Sequence, residues 1–174
     1  MSYFIVDVES DGAILGRNSM VCFGAVLLDK EGNLDKTFYG QTAPISKEFD
    51  PEALAVSGFS REEHELFEDP KLVMTGFADW IELNTKGRAV LVSDNNGYDA
   101  SWINWYFHTY YGDNPFGWSS RRIGDMFAGF MNDPFYKWKK HRGTVHDHNP
   151  VNDAKGNAEA LLWLVDQGFK LNLK

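Results

Sequence analysis

Apolar and polar positions fall first into strand-like runs and then into helical ones. Tyr3-Phe4-Ile5-Val6, residues 20–28 and the shorter run 36–41 read as strands, with a polar turn over 29–33 between the last two. Their spacing predicts a meander. Residues 51–56 predict a short helix stopped by Gly58, Ser60-Arg61-Glu62-Glu63 carries a capping-box pattern, and a longer helix is expected from Pro70 to about Leu83. Residues 88–93 predict a buried strand, closed by the turn-forming Asp94-Asn95-Asn96-Gly97, and a helix then begins near Tyr98. Its apolar positions Ile103, Tyr106, Phe107 and Tyr110 follow helical spacing, and Asp99 lies four residues before Ile103 on the same face. Residues 115–122 are expected as a loop, 122–125 as a short fifth strand, and 133–150 as irregular chain. A last helix over 152–167 is expected to bury Ala158, Leu161, Leu162 and Val165 and to stop at Gly168.

Strands first, then alternating helix and strand, predict an α/β layer with a mixed sheet. At 174 residues, with 43% apolar and 15% aromatic content, the chain suits a single domain spanning 1–174 with ample core. Cys22 is the only cysteine, which excludes an internal disulfide framework and a cysteine-rich zinc site. The N-terminus lacks a basic leader and no run of about 18 apolar residues occurs, so the expected protein is cytoplasmic, with no membrane partner. A net charge of −8 argues against a protein that coats nucleic acid through Lys and Arg. Acids gathered to hold cations would reverse that field locally.

Asp7 and Glu9 are two apart on a predicted strand, so both carboxylates leave the same face. Two anions at the end of an apolar strand call for something positive between them, unless the strand simply runs out into the acidic turn Ser10-Asp11-Gly12. Asp99 and Asp153 each open a predicted helix, where the helix dipole favours an acid whatever its role. His146-Asp147-His148 reads either as a solvated loop or as a two-histidine metal clip, and His148 stands five residues before Asp153.

In chain order these residues resemble the DEDDh family of 3′-to-5′ exonucleases. Its Asp-x-Glu motif matches Asp7-Val8-Glu9, followed by the small polar turn Ser10-Asp11-Gly12. Its His-Asn-x-x-Phe-Asp motif is similar to Asp94-Asn95-Asn96-Gly97-Tyr98-Asp99, and its His-x4-Asp motif runs from His148 to Asp153. Val56-Ser57-Gly58-Phe59-Ser60 resembles the family's Ile-x-Gly-Ile-Thr element near the terminal nucleotide. Two positions depart from the pattern: Asp94 stands for the usual His, a substrate-side position, and Tyr98 for the usual Phe. Size and the absence of an appended domain resemble the RNase T-like exoribonucleases.

The resemblance implies an RNase H-like mixed five-stranded sheet flanked by helices, with two Mg²⁺ or Mn²⁺ ions on Asp7, Glu9, Asp99 and Asp153 and His148 as general base. Ser10, Asp11, Gly12, Phe59 and Asn95 would contact a nucleic acid with a free 3′ end, single-stranded RNA or DNA, and nucleoside 5′-monophosphates would leave. His146 is expected to face elsewhere. The basic stretch Lys137-Trp138-Lys139-Lys140-His141-Arg142 either clasps the strand upstream or is a solvated loop. Many relatives dimerise, which points toward a homodimer, and Trp102 and Trp105 read as packing or as its surface. Two rival readings are a 3′-end binding module with a dead site and an RNase H-like nuclease that cuts internally.

Overall fold

The computed structural model describes residues 1–29 and 31–173; Lys30, inside the predicted 29–33 turn, lies outside the described residues, as does Lys174. The first strands form the expected meander: β1 (Ser2–Ser10), β2 (Met20–Leu28) and β3 (Thr37–Gln41) pair antiparallel, β1 against β2 and β2 against β3. β4 (Ala89–Ser93) then runs parallel to β1, and β5 (Ser120–Arg122) parallel to β4, in the order β3-β2-β1-β4-β5. The RNase H-like mixed five-stranded sheet is therefore present.

Helices cover both faces. On one side α3 (Pro70–Asn84), α4 (Asp99–Tyr106) and the π-helical turn Phe107–Tyr111 lay Phe77, Ile81, Trp102, Ile103, Tyr106 and Phe107 against Phe4, Val6 and Val8 of β1. On the other, α5 (Ile123–Met131) and α6 (Pro150–Asp166) lay Ile123, Phe127, Ala158 and Leu161 against Tyr3 and Ile5. Cover on both faces is why β2 is apolar throughout and fully buried. Small helices α1 (Pro51–Val56) and α2 (Arg61–His64) sit between β3 and α3, and Ser60 caps α2 with the reciprocal Glu63 bond of a capping box.

Two expectations are corrected, and one open alternative is resolved. The fifth strand is Ser120–Arg122, inside the predicted loop, and residues 123–131 form α5, which periodicity did not reveal. Gly124 and Gly129 each disfavour a helix by about 1 kcal/mol and no side chain caps its start, so packing of Ile123 and Phe127 is what holds it. α6 buries Ala154, Ala158, Leu161 and Leu164, with Leu162 and Val165 only half-buried, because the helix lies on the sheet through small residues and is turned slightly from the predicted face. Trp102 is 1% exposed and Trp105 packs against the same core, so Trp102 belongs to packing and not to a dimer surface.

Candidate active site

Alternation along β1 places the first two acids. Tyr3 and Ile5 point to the α6 side, so Asp7 and Glu9 extend that stripe past the point where apolar cover ends. Asp7 lies opposite Gly24 of β2, and a Cβ on Gly24 would land on the peptide joining Pro150 and Val151. Only glycine lets the first turn of α6 close onto the sheet there. Pro150 starts that helix, the Asn149 side chain caps it by accepting from the Val151 and Asn152 N–H groups, and Asp153 is thereby held beside β1. Carboxylate oxygens of Asp7, Glu9 and Asp153 lie within 4.8 Å of one another.

Asp99 arrives from the neighbouring parallel strand, as the first residue of α4, and its Oδ2 accepts the Asn95 N–H at 3.0 Å. Burial lifts its carboxyl to about 7, against an ordinary 3.8, with the Asn95 bond opposing the rise. Asp7 is raised well above the carboxylate range, first by burial and then by the charges of Asp99, Asp153 and Glu9. Burial raises Glu9 too, with His148 working against it.

Positive charge is scarce here. Arg142 donates to Asp153 Oδ1 at 2.8 Å, and its side chain is only 9% exposed. It leaves the basic stretch it was grouped with and turns inward over Gly156, where any Cβ would meet its guanidinium. Asp153 Oδ2 remains buried without a hydrogen-bond partner. Buried acids with raised affinity for protons, close-set oxygens and an unpartnered buried oxygen together suit a divalent cation.

His148 Nδ1 stands 3.5 Å from Glu9 Oε1 and the ring is half exposed, on a backbone with φ of 61°. The expectation that His146 faces elsewhere is corrected: its Nδ1 is 2.6 Å from Asp153 Oδ1, and the two imidazole centroids are 4.4 Å apart. The loop folds back over the start of α6, which brings both rings to the same acid.

No family model matches the chain. The nuclease domain of 3'hExo, a DEDDh family member bound to rAMP, superposes with a TM-score of 0.80 at 18% identity, covering 99% of this chain and 96% of that one. Exonuclease I of E. coli in complex with a dT13 oligonucleotide gives 0.70 at 18% identity, over 95% of this chain and 41% of that one. In sequence, the 3'-5' DNA exonuclease Cap18 of Escherichia coli is 36% identical over 175 residues, which cover 93% of this chain and 90% of that protein. The chain belongs to the DEDDh family of 3′-to-5′ exonucleases.

Membership makes it a phosphodiester hydrolase acting on nucleic acid, and it gives meaning to the two departures from the DEDDh pattern. Asp94, in the place of the usual His, pairs with Lys139 at 2.6 Å and so ties the chain after α5 to the loop after β4. Tyr98, in the place of Phe, bonds through its hydroxyl to Ser10 Oγ, and burial pushes that phenol up to about 12. Among the expected substrate contacts, Asp11 is corrected. Its carboxylate is fully buried and committed to the Ser19 N–H and to Arg61, so it shapes the turn and offers no side chain to a ligand. Ser10 and Gly12 are buried beside it, Asn95 is exposed at the rim, and Phe59 is half-buried, edge-on to Phe67 at 4.9 Å. Arg142 and His146 were missed in their present roles; an arginine and a histidine within eleven residues before a helix-opening acid were the only available signal.

Proposed function

We propose that this DEDDh exonuclease removes nucleotides from the 3′ end of single-stranded DNA, with two divalent ions, Mg²⁺ or Mn²⁺, held by Asp7, Glu9, Asp99 and Asp153 and with His148 as general base. What carries the reading is the convergence of these acids, short of positive partners, around the ends of β1 and β4 with an imidazole beside Glu9. An all-oxygen donor set suits hard cations. When bound, such ions stabilise charge on the phosphoryl oxygens and make a water easier to deprotonate.

The chain's own groups account for the rest. With Nδ1 turned toward Glu9, His148 keeps Nε2 free to accept a proton from the attacking water on the solvent side. Glu9 orients that ring, and Arg142 fixes the rotamer of Asp153. Ser10, whose hydroxyl bonds Tyr98, and Gly12 would shape the floor beneath the terminal sugar. Phe59 would stack on the end bases, a contact of about 1 to 3 kcal/mol for any sequence. DNA rather than the RNA of RNase T-like enzymes is favoured by the 36% identical relative, named for DNA. The free thiol of Cys22 suits a cytoplasmic setting.

The test uses end-labelled single strands of DNA and RNA of one sequence, with Mg²⁺ or with chelator. DNA should shorten stepwise from its 3′ end to 5′-mononucleotides, only with metal, and a 3′-phosphate should slow it strongly. Digestion of circular strands at the linear rate, or unchanged digestion in chelator, would overturn the proposal.

A further inference from the structure

The four acids leave one part of the site unexplained: the second histidine. We propose that His146, His148 and Asp153 form a second metal site, sharing Asp153 with the catalytic acids, for a borderline-soft ion such as Zn²⁺, and that filling it shuts the nuclease off. One donor atom from each of the three lies within 4.8 Å of the others. His146 Nδ1 is already 2.6 Å from Asp153 Oδ1, and the imidazole centroids are 4.4 Å apart. Asp153 is 1% exposed; its Oδ1 accepts from Arg142 and faces His146, and its Oδ2 has no hydrogen-bond partner, so the carboxylate keeps unused donor capacity beside the two rings.

The loop bearing both rings is pinned on either side. Before it, the Gly143 and Thr144 N–H groups donate to Glu159 Oε2 at 2.7 and 2.6 Å. Within and after it, Asp147 accepts from the Asn149 N–H at 3.0 Å and the Asn152 side chain at 2.8 Å. The histidines flank a residue that is tied down, so gathering them costs little ordering entropy.

Donor chemistry sets the preference. Two imidazoles and one carboxylate, with a fourth position open to solvent, are the ligand composition of three-residue zinc sites, whereas Mg²⁺ prefers oxygen alone. Imidazole donors also suit Zn²⁺ better than Mg²⁺ or Mn²⁺, which favour carboxylate and water oxygens. Occupation takes the lone pair with which His148 would accept a proton and engages Asp153. This inhibitory consequence rests on the role proposed above for His148; the site itself does not.

Zn²⁺ and, as a coloured probe, Co²⁺ are titrated into the whole protein at saturating Mg²⁺, with calorimetry, visible absorption and DNA cleavage read in parallel. Wild type should bind one ion, show the absorption of a four-coordinate Co²⁺ with nitrogen ligands, and lose cleavage as that ion binds. His146→Ala and His146→Asn should each weaken Zn²⁺ binding at least about a hundredfold, since even outer contacts of a metal ligand are worth 10 to 100-fold. Cleavage by each variant, relative to its own zinc-free rate, should then resist zinc. Asp7→Asn should lose cleavage and keep the zinc site. Equal Zn²⁺ affinity in wild type and both His146 variants, or loss of the ion in Asp7→Asn, would overturn the inference and leave the exonuclease reading standing. Zinc held through His146 in a protein with no Mg²⁺-dependent cleavage would do the reverse.

Discussion

In metal-free protein, Asp99→Asn should stabilise the fold while it removes activity. Asp99 is 4% exposed, and its carboxyl titrates at about 7 in place of 3.8. Between those values the native state binds more protons than the unfolded chain, so the stability of the metal-free protein falls as pH rises from about 4 to 7 and the full cost is present above 7. At 1.36 kcal/mol per tenfold in proton affinity, that cost is about 4 kcal/mol. Asparagine keeps an oxygen for the Asn95 N–H but buries an amide donor, returning about 1 to 2 kcal/mol. The expected net gain is about 2 to 3 kcal/mol at pH 7.5, or roughly 4 to 12 °C in Tm for a chain of this length. Calorimetry in chelator at pH 7.5 and pH 5 reads it directly. At pH 5 most wild-type Asp99 is already neutral, and the difference should nearly vanish. A variant with an unchanged or lowered midpoint at pH 7.5 would refute the view that this carboxylate is held charged at a cost until a cation arrives.

His148→Ala should lower turnover by about 10² to 10⁴ at saturating Mg²⁺ while leaving strand binding largely in place; a loss under tenfold would remove His148 from the base role. Arg142→Met leaves the buried Asp153 charge without its partner and should destabilise the metal-free protein by about 3 to 5 kcal/mol, with much of the loss recovered in Mg²⁺. Denaturation in chelator and in Mg²⁺ checks this, and an equal loss in both would tie Arg142 to packing alone. Gly24→Ala should push the start of α6 off β2, costing about 1 to 3 kcal/mol and, through displacement of Asp153, up to about 10² in rate. Wild-type turnover in that variant would show that α6 has room to spare.

Much of the site was legible along the chain because its motifs obey local rules. Asp7 and Glu9 share a face by strand alternation, Asp99 and Asp153 open helices where acids are favoured, and Ser60 to Glu63 cap a helix wherever they stand. Spacing alone could also order β1 to β3 as a meander. What stayed hidden depends on partners distant in sequence. Nothing in Ser120-Arg121-Arg122 favours a strand until Ser93 of β4 lies opposite Arg122, and α5, with its two glycines, is helical because the sheet receives Ile123 and Phe127. Arg142 reads as a surface base until Gly156 makes room for it beside Asp153, and Asp11 reads as a ligand contact until Arg61, fifty residues on, claims its carboxylate. Backbone periodicity and capping are local, so they assign Asp7 and Glu9 to one face of a strand end and Asp99 and Asp153 to helix starts before any contact is known. Which of those charges are neutralised and which are left bare follows from the packed fold, because burial and pairing are properties of neighbours that the chain order does not record.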